Sequence, residues 1–155
     1  MVKSLALIAS KGSLDWAYPP FILASTAAAL DYEVQIFFTF YGLALLRKDL
    51  SDLKVSPLGN PAMSMPIPMP NLVQMLPGME SMATMMMKQK IASKGVASIE
   101  DLRTACLESG VKLIACQMTV DLFDFKNEDF IDGIEFGGAA TFFQFAGESD
   151  VQLFI

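Results

Sequence analysis

Glu108-Ser109-Gly110-Val111-Lys112-Leu113-Ile114-Ala115-Cys116-Gln117-Met118-Thr119-Val120-Asp121-Leu122 places a helix end, a strand and a helix start within fifteen residues. Gly110 suits the position just past a helix, where a left-handed backbone is needed. Val111 to Ala115 is a short apolar run of strand character. Cys116 stands at its carboxyl end. Gln117 to Phe123 reads as a short helix. A helix–strand–helix sequence of this kind belongs to sheets whose parallel strands are joined by helical crossovers.

Working outward from this stretch, the same alternation recurs. Upstream, Ser98 is a cap candidate for a helix running to Gly110, with Asp101 in the acidic position of a capping box. At the start of the chain, Val2 to Ser10 reads as a buried strand and Ser10-Lys11-Gly12-Ser13 as a loop. A helix follows, and the Pro19-Pro20 pair is expected in its first turn, where missing N–H groups cost least. Glu33 to Phe40 is a second strand, and Tyr41 to Lys48 a short helix. Downstream, Asn127 to Asp132 forms a turn and Gly133 to Gly138 contains a short strand. Ala139 to Ala146 is a helix, and Val151 to Ile155 a last strand.

Residues 51–78 interrupt the pattern. They hold six of the eight prolines, and residues 63–87 hold nine of the eleven methionines. That proline density excludes regular structure. Asn71 to Ser93 reads as helical, interrupted at Pro77, with Met75, Met79, Met82 and Met86 spaced to share one face.

The implied fold class is α/β: one domain, three layers, and a mostly parallel open sheet of about five strands in a flavodoxin-like arrangement. The 155 residues fit a single domain with an insert at about 51–78. In open sheets of this class, chemistry sits beyond the carboxyl ends of the strands. A flavodoxin-like order makes the first and third strands neighbours. Lys11, Gly12 and Ser13 would then face Cys116 across a crevice.

Composition narrows the chemistry. The chain has no histidine, which removes Ser-His-Asp and Cys-His nucleophile pairs and imidazole metal ligands. Two cysteines and no CxxC exclude a four-thiolate zinc site. With 11 Lys+Arg against 17 Asp+Glu, net charge −6 disfavours a nucleic-acid partner. No GxxxxGK or GxGxxG fingerprint occurs, and no cofactor is expected. No secretory signal leads the chain, so a cytoplasmic, thiol-reducing setting is expected. The apolar run Trp16 to Leu30 falls short of the ~20 residues a bilayer span requires. Hydrophobic residues make up 53%, and charged residues only 18%. Such a surface suits an oligomer, or contact with a membrane.

Cys116 is the candidate nucleophile. A helix start lowers a thiol pKa, and the backbone N–H groups of the Gln117-Met118-Thr119 turn would favour the anion. Lys11 is the other candidate activator, and Asp121 would oppose it. The alternative is a small core residue. Cys106 lies late in its helix, where the dipole disfavours thiolate, and reads as core. Met63, Met65 and Met69 admit a copper(I) reading, because thioethers select that ion. The methionine segment otherwise reads as a lid or subunit interface.

The whole chain resembles the DsrE/DsrF/DsrH family, and more narrowly its single-chain, peroxiredoxin-like branch. The carrying residues are Ile99-Glu100-Asp101-Leu102, Glu108-Ser109-Gly110-Val111-Lys112 and Ala115-Cys116-Gln117-Met118-Thr119-Val120-Asp121-Leu122. The last resembles the branch's Ala-Cys-x-Met-Ser-Met-Asp-Leu run. Thr119, Val120 and Phe123-Asp124 depart from it. The resemblance implies a DsrE-like α/β fold and oligomeric assembly, for which the methionine stripe offers an interface. It also implies sulfur carried as a persulfide on Cys116 between donor and acceptor proteins. A thiol peroxidase using Cys106 as resolving thiol, and a non-catalytic interaction subunit, are the competing functions.

Overall fold

The computed structural model describes residues 1–56 and 75–155. The described strands are β1 (Ser4–Ala9), β2 (Glu33–Phe38), β3 (Lys112–Cys116), β4 (Glu135–Gly137) and β5 (Val151–Phe154). The helices are α1 (Leu14–Ala29), α2 (Met79–Ser93), α3 (Ile99–Glu108), α4 (Gln117–Leu122) and α5 (Ala139–Ala146). Short 3-10 segments cover Phe40–Leu46 and Asn127–Asp129. Of the Pro- and Met-rich insert, residues 57–74 lie outside the described residues, and with them Met63, Met65 and Met69.

The five strands form one sheet in the order β4-β3-β2-β1-β5, and every pairing is parallel. The chain steps in one direction from β1 to β4, then returns over the sheet to place β5 against β1. Connections of one hand put outbound helices on one face and the returning helix on the other. The packing agrees. Ala17, Phe21, Ala24, Ile99, Cys106 and Val120 share a core with Leu7, Ile36 and Leu113. Phe142 and Ala146 of α5 close the opposite face over Ala6, Phe37, Ile114 and Cys116. Full burial of a Phe, Leu or Ile side chain is worth about 1.5–3 kcal/mol. The α1/α3 layer, with Phe21, Phe38, Leu43, Leu45 and Leu46 all buried, therefore supplies most of the hydrophobic stabilisation.

Three expectations are corrected. The first and third strands are not neighbours, because β2 lies between them. The proline pair is not in the first turn of α1: the helix begins at Leu14, so Pro19 and Pro20 fall inside it. Its start is held from outside, by Leu14 N–H donating to the Lys54 carbonyl and Ser56 N–H donating to Asp15 Oδ1, 2.8 Å each. Ala17, Phe21 and Ala24 lock its inner face. Third, the segment after β2 is a 3-10 turn from Phe40 to Leu46. It packs so tightly that a Cβ on Gly42 would run into the Ala9 carbonyl oxygen.

Other signals hold. Ser98 caps α3 by accepting from Asp101 N–H at 3.1 Å, and Gly110 takes the left-handed conformation at φ 79°. Met79, Met82 and Met86 lie on α2, while Met75 precedes it. Met82 and Met86 are exposed, and the inner side of α2 is Ala83, Thr84 and Met87. No described helix is long and apolar enough to cross a membrane.

Candidate functional site

Side chains alternate across a strand, and in β3 this decides where Cys116 points. Leu113 and Ala115 belong to the α1/α3 core, whereas Ile114 and Cys116 face α5. Cys106, on α3, is in the opposite core. The sheet therefore lies between the two thiols, and both are free. Cys106 is fully buried and donates to the Phe21 carbonyl at 3.5 Å. Burial pushes its thiol up to about 11, against a smaller lowering from the Ser25 backbone. It is a core residue.

Cys116 occupies the cap position of α4 and is 4% exposed. Burial raises its thiol, but the Thr119 hydroxyl and N–H, the Thr39 hydroxyl and the Met118 N–H together outweigh burial and hold it below the ordinary thiol value. The thiol itself closes no cap bond. These groups gain weight when the sulfur is an anion, which is the better acceptor.

Thr39 was not anticipated from the sequence. Phe37 pairs with Ile114 and Phe38 with Ala115. The next register step sets Thr39 beside Cys116, on the same face. On the other flank, Cys116 pairs with Gly137 of β4. The Thr39 and Thr119 hydroxyl oxygens are 3.3 Å apart, and Phe40 N–H donates to Thr119 Oγ1 at 3.2 Å. Thr119 is wholly buried. A usable signal existed, since consecutive strands are neighbours more often than not.

Of the remaining expected site residues, Gln117 and Met118 follow Cys116 in the first turn of α4, and the loop after β1 contributes none of the groups that shift the thiol. Lys11, Gly12 and Ser13 follow β1 and line a cavity of about 690 Å³ with Trp16, Tyr41 and Phe123; Cys116 is not part of its wall. Lys11 Nζ sits 3.5 Å from the centre of the Trp16 ring, a cation–π contact. Ser13 Oγ is 2.9 Å from Ser56 Oγ, where it ties α1 to the segment after the 3-10 turn. The groups that shift the Cys116 thiol are hydroxyls and N–H groups, with Lys11 absent from them. Gln117 donates to Asp121 Oδ1 at 2.8 Å, and Met118 is exposed. Further exposed apolar side chains lie on neighbouring elements: Leu122 and Phe123 on and after α4, Phe40 and Tyr41 after β2.

Residues 1–154 match the DsrE/DsrF/DrsH-like family. The chain belongs to that family. It is similar to the sulfur carrier protein DsrE2 of Allochromatium vinosum, 68% identical over 157 residues that span 99% of this chain and 98% of the relative. It is also similar to YrkE of Bacillus subtilis, an uncharacterised protein, at 33% identity over 99% of this chain and 97% of the relative. Among solved structures it resembles the ychN protein of E. coli, with TM-score 0.56, 11% identity and complete coverage of both chains. A protein of unknown function from Methanobacterium thermoautotrophicum, MTH1491, gives TM-score 0.56 at 10% identity, covering 97% of this chain and 98% of that one. At such identities these two likenesses speak to the fold alone, and they agree with a DsrE-like three-layer sheet.

Proposed function

We propose that this DsrE-like protein is a sulfur carrier, and that Cys116 is the residue that carries. The observation that bears the most weight is the set of hydroxyl and N–H groups that lowers the Cys116 thiol at the carboxyl end of β3 despite its burial. The 68% identical relative named a sulfur carrier supports the same reading.

The chemistry is thiol exchange. The Cys116 thiolate attacks the outer sulfur of a donor persulfide, R–S–SH. The donor S–S bond breaks, R–S⁻ leaves with the bonding pair, and Cys116–S–SH forms. An acceptor thiolate then attacks the outer sulfur of Cys116–S–SH and the Cys116 thiolate departs. Each step makes one S–S bond and breaks one, with no net oxidation and no cofactor. Met118, Phe40 and Tyr41 give donor and acceptor proteins an apolar surface near the mouth of the site. The exposed Met82–Met86 side of α2 is where copies of the chain would assemble. A reducing, cytoplasmic compartment would keep Cys116 and Cys106 as thiols.

A peroxidase reading needs a resolving thiol. Cys106 fills that role poorly, being buried on the other side of the sheet with a raised pKa.

Intact-protein mass spectrometry after anaerobic incubation with polysulfide is the direct test. Wild type and Cys106→Ser are expected to gain sulfur, and Cys116→Ser to gain none. Sulfur loading that survives Cys116→Ser would overturn the assignment.

A further inference from the structure

The hydroxyl pair beside Cys116 has more order than core packing requires. Thr39 and Thr119 come from different elements, the end of β2 and the first turn of α4. Their oxygens meet at 3.3 Å. Phe40 N–H donates to Thr119 Oγ1 at 3.2 Å, and Phe40 itself sits in a left-handed backbone, φ 48°. That conformation is uncommon for a bulky residue and costs energy. The strand register places Thr39 on the Cys116 side of the sheet, because Phe37 and Ile114, two residues back in each strand, share that face.

Proton counting shows what the arrangement does. Thr119 Oγ1 has one lone pair occupied by the Phe40 N–H, so its own hydrogen is free to point to Thr39 or to the sulfur. Thr39 has one hydrogen of its own. With a neutral thiol, one hydroxyl hydrogen satisfies the Thr39–Thr119 contact. With a thiolate, both hydrogens turn to the sulfur, and the Phe40 N–H still satisfies Thr119. Among the described residues, the groups that act on the thiol include no lysine, and at 4% exposure little water reaches it.

We propose that Thr39 and Thr119 are positioning residues that donate together to the Cys116 sulfur whenever it bears charge, with the Phe40 amide setting the Thr119 hydrogen toward it. This deepens the sulfur-carrier reading and rests on it for its role in transfer. The sulfur is charged twice in the cycle, first as the attacking nucleophile and then as the leaving group when an acceptor takes the outer sulfur. The inner sulfur, not the outer one, is the atom the pair serves. Hand-off to an acceptor therefore depends on the hydroxyls as strongly as loading does.

The test compares Thr39→Val, Thr119→Val and Thr39→Ser with wild type. Valine keeps the branched shape and loses the hydroxyl; serine restores the hydroxyl. Two readouts are needed: the pH profile of Cys116 alkylation, read on the Cys116 peptide alone, and the rate of sulfur hand-off from polysulfide-loaded protein to a small-molecule thiol. Each valine variant is expected to move the alkylation midpoint to higher pH and to slow hand-off about tenfold, the scale of one hydrogen bond to a charged group. Thr39→Ser is expected to retain both properties. Because Thr119 is wholly buried, Thr39→Val, at a half-buried position, decides the matter if Thr119→Val does not fold. A folded Thr39→Val protein with a wild-type alkylation profile would overturn the proposal. Failure of wild type to load sulfur would instead remove the carrier reading, and the alkylation profiles alone would then judge the hydroxyl pair.

Discussion

The two cysteines should differ sharply in reactivity, and the difference can be worked from their surroundings. Burial holds Cys106 at about 11, while Cys116, despite burial, is drawn below 9.0 by its hydroxyl and N–H neighbours. Two pH units of separation make the Cys116 thiolate at least about a hundredfold more populated. Nucleophilicity works the other way, since it falls with pKa at a Brønsted slope of ~0.4–0.5, and this returns roughly sixfold to tenfold to Cys106. The net expectation is that Cys116 is alkylated about tenfold faster or more, with the full burial of Cys106 widening the gap. The assay is a time course with iodoacetamide on the native protein at neutral pH, followed by peptide mapping of both sites. In denaturant the two rates should converge. Equal native rates, or Cys106 reacting first, would refute the assignment of the nucleophile and the view that the sheet separates a reactive thiol from an inert one.

Three further outcomes follow from packing and charge. Arg103 is buried and donates through Nη1 to the carbonyls of Leu45 at 2.9 Å and Arg47 at 2.7 Å. Arg103→Met should strand both acceptors, lowering stability in urea unfolding by about 2–3 kcal/mol. Asp15 is raised by burial but lowered further by the Ser56 N–H and by the Ser13 and Ser56 hydroxyls, so its folded pKa lies below 3.8. Its contribution is therefore present above pH 3.8 and lost as pH falls through the lower folded value. Asp15→Asn should flatten that part of the acid unfolding curve, and an unchanged curve would contradict the tie to Ser56. Gly42→Ala should force the 3-10 turn away from the Ala9 carbonyl. Overpacking of this kind costs about 1–3 kcal/mol, which a thermal melt would register.

How much of this protein can be read along the chain follows from the range of the forces involved. Gly110 ends a helix because its backbone reaches φ 79° without steric cost. Ser98 starts one because its hydroxyl meets a free N–H three residues on. The apolar run ending at Cys116 is a strand because it is short, branched and bounded by turn residues. Such effects act over a few residues, so the alternating architecture and the place of Cys116 at a strand end are legible without coordinates. The order of the strands is not, because a parallel strand of either neighbour satisfies the same pattern. Inserting β2 between β1 and β3 separates the strand that leads into Lys11, Gly12 and Ser13 from the strand that ends in Cys116, and makes the end of β2, with Thr39, the neighbour of Cys116. The same tertiary arrangement sets Cys106 and Cys116 on opposite faces and lets Pro19 and Pro20 sit inside a helix whose start is held by Lys54 and Ser56. Local sequence supplies the candidate nucleophile and, in Thr119 and Met118, most of the groups that favour its anion; Thr39 comes from register, which depends on residues eighty positions apart settling the same face of one sheet.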